Sequence, residues 1–181
     1  MIKKIIISFF ILFHTSAFAE NILTVGTYDS FAADWGPGPN IEDAFEEICN
    51  CDLQFIATSQ AGSLSSDIFV KGKDVILGVE HNDFDTSYND NLWAFYDYGY
   101  FAFIYDNSKL NNPPKSMDDL VNRNDLKIVV QDPRTSPLGM GLLRWMKSVF
   151  GDDYQYKMDK FDKNVVTYTP GWTEAYGMFL E

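Results

Sequence analysis

Positive charge is scarce in this sequence: 14 Lys and Arg stand against 26 Asp and Glu, a formal net charge of −12 over 181 residues. A chain this acidic repels nucleic acid and anionic lipid, which argues against functions built on either, and its field favours a cationic ligand. Histidine and cysteine number only two each, and His81 is the only histidine left in the mature chain, so the ligands fall short of the four that zinc normally wants and no metal site is expected. Beyond the first twenty residues no stretch approaches ~18 unbroken apolar residues, so the mature chain is expected to be soluble. Catalytic signatures are missing as well. There is no G-x-S-x-G elbow, no phosphate-binding G-x-x-x-x-G-K-[ST] loop and no H-E-x-x-H, and no cofactor is expected. Asp83, Asp85 and Ser87 imitate the start of a calcium loop. Tyr88 stands where that loop needs glycine and Ala94 where it needs a bidentate glutamate, so a solvated acidic loop is the better reading.

The N-terminus carries a clear address. Lys3 and Lys4 precede an apolar run, Ile5 to Phe13, which leads to the Ala17-Phe18-Ala19 pattern. The run is too short for an anchor and reads as a secretory signal, residues 1–19, cleaved after Ala19. Glu20 rather than cysteine follows, so no lipid anchor is expected. Removing 19 residues from 181 leaves 162 and takes away two lysines, moving the formal charge from −12 to −14. In an oxidising compartment Cys49 and Cys51, separated only by Asn50, are read as a local, redox-sensitive disulfide. So short a loop removes little entropy from the unfolded chain.

With 46% hydrophobic residues the chain can bury a core, in one ordinary domain or two small ones. Six runs rich in Val, Ile, Phe, Tyr and Thr read as strands: Ile22 to Tyr28, Leu53 to Thr58, Asp74 to Val79, Tyr98 to Tyr105, Lys127 to Gln131 and Val165 to Thr169. Between them lie helical signals. Ile41, Ala44, Phe45 and Ile48 recur at helical spacing behind an Asn40 cap, and Ser116 with Asp119 forms a capping-box pattern. Ser136 caps a longer helix with Pro137 at its first position, Lys147 in its last turn and Gly151 closing it. Leu138, Leu142, Met146 and Val149 mark that helix's apolar face. The alternation predicts an α/β architecture with mixed or parallel sheets. A last helix begins near Gly171-Trp172.

Three places where strands give way to helices carry polar and aromatic groups. Tyr28 and Trp35 follow the first strand, with Gly36-Pro37-Gly38-Pro39 read as a rigid turn. In open α/β sheets ligands settle beyond the carboxyl ends of strands. There the two rings could stack on a flat heterocycle; packing into the core is the equal alternative. Asp132-Pro133-Arg134-Thr135-Ser136 meets a helix N-terminus, where free N–H groups receive polar oxygens, although Ser136 taken alone is simply a cap. Gly171-Trp172-Thr173-Glu174-Ala175-Tyr176 occupies a similar junction, where a lone Trp is more often core than ligand site.

Taken together, T-Y-D-S-F-A-A-D-W-G-P-G-P (27–39), C-N-C (49–51), D-Y-G-Y-F-A-F-I-Y-D (97–106), N-P-P-K-S (112–116), Q-D-P-R-T-S (131–136) and G-W-T-E-A-Y-G (171–177) resemble the thiamine-binding proteins of periplasmic ABC importers. The resemblance implies a periplasmic-binding-protein-like, two-lobed fold of type II, incomplete in this chain. Residues 20–97 would form a partial first lobe and residues 98–181 a partial second, with Tyr98 to Tyr105 as a crossing strand. It implies a periplasmic, monomeric protein that binds thiamine or a thiamine phosphate and delivers it to an ABC transporter permease. Tyr28, Trp35, Ser136 and Trp172 match family positions that contact the ligand. Thr58-Ser59-Gln60-Ala61 departs from a segment that carries a ligand-binding acid in the family, and the chain reads as shortened between Val79 and Phe95. Other readings are a truncated, non-functional remnant, a binder of another solute such as iron, or a thiaminase-like enzyme. Iron prefers anionic oxygen ligands over the Trp offered here, and the enzyme would need Cys49 or Cys51 as nucleophile.

Overall fold

Ile22–Tyr28 (β1) is a run of β-branched and aromatic residues, and it forms the central strand of a sheet. The computed structural model describes residues 21–83 and 93–181. The signal at 1–19, and Asp85, Ser87 and Tyr88 of the acidic loop, lie outside the described residues. β1 pairs in parallel with Asp52–Thr58 (β2), in register from Ile22 opposite Asp52 to Tyr28 opposite Thr58. On its other side it pairs with Val75–Ile76 (β3), giving the order β2-β1-β3. Val25, Gly26 and Thr27 are all buried, as expected of a parallel strand covered on both faces. The expected Asp74 to Val79 strand thus shrinks to two residues, because the chain turns at Gly78, whose φ is +89°, and Tyr28 lies over that turn.

A second, separate sheet pairs Ile128–Gln131 (β4) in parallel with Val165–Thr169 (β5), with an irregularity between Ile128 and Val129. Around it lie Met117–Asn122 (helix α4), Pro137–Phe150 (α5) and Tyr154–Phe161 (α6). Asp29–Ala32 (α1), Gly38–Cys49 (α2) and Asp67–Val70 (α3) accompany the first sheet, and Trp172–Leu180 (α7) follows β5. Two parallel sheets with interleaved helices are the α/β architecture expected. Among the described residues no helix is long and apolar enough to cross a membrane.

Several local expectations need correction. α2 begins at Gly38, two residues before the Asn40 expected to cap it, with Pro37 at the capping position and Pro39 in the first turn. Proline suits that turn because its φ is already helical and no N–H is needed there. The Gly-Pro-Gly-Pro turn is therefore partly the helix itself. Asn50 closes α2 in the left-handed region (φ 52°), its N–H donating to Glu46 O at 3.3 Å. Beside it, Cys49 and Cys51 are joined in a disulfide.

Tyr98 to Tyr105 is not a strand. Tyr98 and Tyr100 are 88% and 91% exposed. Strand propensity reflects packing on a pleated, half-buried surface, and no neighbouring strand pairs with this segment among the described residues. The caps of the second half do form. Ser116 Oγ accepts from Asp119 N–H at 3.0 Å, and Asp119 reaches back to Lys115 N–H at 3.0 Å. Ser136 Oγ accepts from Leu138 N–H at 3.2 Å, and Gly151 terminates α5 with Lys147 Nζ donating to its carbonyl at 3.0 Å. Of the expected apolar face of α5, Leu142 and Met146 are buried while Leu138 and Val149 stay exposed.

Candidate functional site

Both sheets end their strands toward one region, and three backbone junctions stitch it together. Asp132, just past β4, organises the first. Its carboxylate accepts from Arg134 N–H at 2.8 Å and Arg134 Nε at 2.9 Å, and also pairs with Arg134 Nη2. The guanidinium holds the Asp132 carboxyl down to about 2. The Asp132 carbonyl accepts from Ser136 N–H at 2.9 Å. This turn delivers Thr135, whose hydroxyl donates to Pro170 O at 2.8 Å and so ties the exit of β4 to that of β5.

The other junctions cross between the two sheets. Gly62 N–H donates to Thr135 O at 2.9 Å, and a Cβ on Gly62 would stand 3.1 Å from the same oxygen. Gly171 is packed so closely on Ser59 O that a Cβ would collide with it. Glycine is required at such approaches because any side chain displaces one backbone from the other.

This convergence brings Trp35 and Trp172, 137 positions apart, into contact. Their ring centroids are 5.8 Å apart at 39°. Trp172 then stacks on Tyr176 at 4.6 Å and 20°, and Tyr176 on Phe179 at 6.3 Å. Four rings thus run from the loop after β1 down one face of α7. A flat ligand between two rings needs ~7 Å, two layers at van der Waals spacing. The 5.8 Å gap is too narrow, so in this conformation the two indoles touch each other. Trp35 remains 61% exposed and offers its outer face.

The other two sequence-selected residues sit nearby with prior engagements. Ser136 is 3% exposed; its hydroxyl donates to Gln131 Oε1 at 2.6 Å while capping α5. Tyr28, half-buried, meets Phe31 edge-on at 5.8 Å and shares a hydrogen bond with Tyr96. Burial raises the Tyr28 hydroxyl above its ordinary range, with Tyr96 lowering it and Asp97 raising it. Tyr96 is pushed up too, again first by burial. Both phenols therefore stay protonated at neutral pH.

Sequence reasoning named Tyr176 and Glu174 only within the Gly171 to Tyr176 junction and gave neither a role of its own. Tyr176 is four residues after Trp172 on one helix face, and that spacing was the available signal. Glu174 Oε2 is shut off from solvent without a hydrogen-bond partner, which no sequence pattern reveals. A trough of about 2770 Å³ reaches Trp172, Tyr176 and Tyr96 but not Tyr28, Trp35 or Ser136. It far exceeds the usual 300–1,000 Å³ of a small-molecule site and is open apolar surface rather than a shaped pocket. Cys49 and Cys51, bonded to each other, present no thiolate. Among the described residues no three His, Cys, Asp or Glu gather to hold a metal.

No family model matches the chain. It is 42% identical to the thiamine-binding periplasmic protein of Escherichia coli (strain K12), over an alignment covering all of this chain and 63% of that protein. It is 40% identical to the protein of the same name from Brucella suis biovar 1, with 92% of this chain and 58% of that one covered. A solved periplasmic thiamin binding protein superposes with a TM-score of 0.78 at 44% identity, covering 89% of this chain and 59% of its own. The chain thus spans about three-fifths of the length of these relatives. The E. coli alignment runs over 207 positions against 181 residues here.

Proposed function

The chain is homologous along its whole length to the thiamine-binding periplasmic proteins, and we propose from this that it is the solute-binding component of an ABC importer. In this reading it binds thiamine or a thiamine phosphate in the periplasm, after cleavage of residues 1–19, and hands it as a monomer to a membrane permease. It acts by binding, without catalysis. Residues 20–97 belong to one lobe and 98–181 to the other, each built on one of the two parallel sheets.

The observation that carries this reading is the Trp35–Trp172 contact at the meeting point of the strand ends. Thiamine joins a cationic thiazolium to an aminopyrimidine, two flat rings that aromatic faces attract, and each cation–π contact is worth ~0.5–2 kcal/mol. Tyr28 contributes a third ring at the exit of β1. Ser136 lies at the N-terminus of α5, where N–H dipoles suit a polar or phosphate oxygen. The net charge of −12 favours a cation's approach.

Isothermal titration with thiamine tests the proposal. Binding is expected to be weaker than nanomolar, because Trp35 is mostly exposed and high affinity needs most of the ligand surface buried. Trp172→Ala should weaken it by roughly twofold to thirtyfold, the loss of one such contact. Absence of thiamine binding, or binding indifferent to Trp172→Ala, would refute the site.

A further inference from the structure

Tyr28 is held at three points, each supplied by a different part of the chain. It is the last residue of β1, and one edge of its ring rests on the backbone at Gly78. A Cβ there would stand 2.7 Å from the ring atom Cδ1 and closer still to Cε1. Glycine serves that point twice, since its φ of +89° is also one that side chains rarely adopt. Phe31, in the helix after β1, meets the ring edge-on with centroids 5.8 Å apart. The third hold is polar: the Tyr28 hydroxyl shares a hydrogen bond with Tyr96.

Tyr96 does not owe its place to the core. It is 56% exposed, in a stretch that joins neither sheet among the described residues. Its distinction is where it stands. It lines the trough together with Trp172 and Tyr176, which Tyr28 does not reach, while its hydroxyl engages the phenol at the exit of β1. It therefore connects the open space beside Trp172 to Tyr28. Backbone and edge contacts bound a ring on its sides but leave it free to swing about its first torsion. A hydrogen bond at the far end of the ring removes that freedom. Both phenols stay protonated at neutral pH, so the bond is not lost there to ionisation.

We propose that Tyr96 is a positioning residue for ligand binding: its hydroxyl fixes the Tyr28 phenol, so that the ring meets the ligand already ordered. This rests on the thiamine reading above, in which Tyr28 supplies one of the aromatic faces. Such a face attracts a flat cation only at close range and in the right orientation. A side chain that must be ordered during binding subtracts that ordering from the affinity. Tyr96 completes the ordering in the free protein. Because it acts through Tyr28, its effect must vanish once the Tyr28 hydroxyl is gone.

The test is calorimetric titration of thiamine into the full chain, Tyr96→Phe, Tyr28→Phe and the double variant, with urea denaturation of each alongside. Tyr96→Phe removes one oxygen from an exposed ring and should fold as before. It is expected to weaken thiamine binding by about threefold to tenfold, the range for one neutral hydrogen bond or one ordered side chain. In the Tyr28→Phe background the same change should cost less than about twofold, because the bond is already absent. An unchanged affinity in Tyr96→Phe, with or without a lower urea midpoint, would make the bond purely structural and overturn the proposal. Equal losses in both backgrounds would overturn it too, since Tyr96 would then act without Tyr28. Either result leaves the thiamine reading standing. If the unaltered chain binds no thiamine, that reading falls and the positioning role falls with it, so the two failures are told apart.

Discussion

The two halves of the chain follow the same scheme, parallel strands joined by helices, yet they bury it very differently. The second half has one contiguous core: Met117, Leu120, Val121, Ile128, Val130, Leu142, Met146 and Phe161, with Trp145 and Phe150 packed against it. The first half buries Val25, Phe31, Leu53 and Leu64 around β1 but leaves the stripe of α2 outside, with Ile48 83% exposed. An amphipathic pattern states which face wants cover; it does not supply the cover. In the second half α4, α5 and α6 close over β4 and β5, and in the first a single long helix faces a three-stranded sheet.

The sharpest way to break this comparison is to truncate matching apolar residues in each half. Phe161→Ala, at a fully buried position, should cost about 3–5 kcal/mol. Ile48→Ala should change stability by no more than about 0.5 kcal/mol. Urea denaturation of both variants measures this. Equal costs would mean that α2 is covered in solution and that the contrast between the halves is false.

A smaller effect is expected where the halves meet. Gly171→Ala drives a methyl group against Ser59 O, an overpacking of about 1–3 kcal/mol. Because the strain falls on the junction rather than on either core, amide exchange should quicken at Gly62 N–H, which bonds across it, and stay unchanged in β4. Uniform acceleration through both sheets would show that the halves unfold as one unit.

The smallest effect concerns the Asp132 turn. Its carboxyl is lowered in the folded chain from 3.8 to about 2 by Arg134. A depressed carboxylate stabilises the fold above its unfolded value and loses that contribution as pH falls through the folded value. Stability should therefore drop between about pH 4 and 2, modestly because the pair is solvent-screened. Asp132→Asn should flatten that part of the profile; an unchanged profile would assign the acid sensitivity to other groups.

Local chemistry made parts of this structure legible in advance. β1 and β5 run over the residues expected from their β-branched composition, and the Ser116 and Ser136 caps follow from side-chain reach within one turn. Tyr98 to Tyr105 misled because its composition matches a strand, whereas pairing depends on a neighbour that sequence does not name. The start of α2 was displaced because proline in a Gly-Pro-Gly-Pro turn can serve either a turn or a helix. The individual rings of the site stood out by their junctions, but the contact between Trp35 and Trp172 depends on two glycines that let the backbones approach. Such a long-range approach leaves no local pattern.

The indole pair also makes the molecule its own optical gauge. The chain has four tryptophans, and two of them, Trp35 and Trp172, sit with ring centres 5.8 Å apart. At that range their excited states mix, and the mixing decays with the cube of distance, so circular dichroism in the indole band senses the spacing directly. Because one indole follows β1 and the other opens α7 after β5, that band registers the opening between the two halves, with no dye attached.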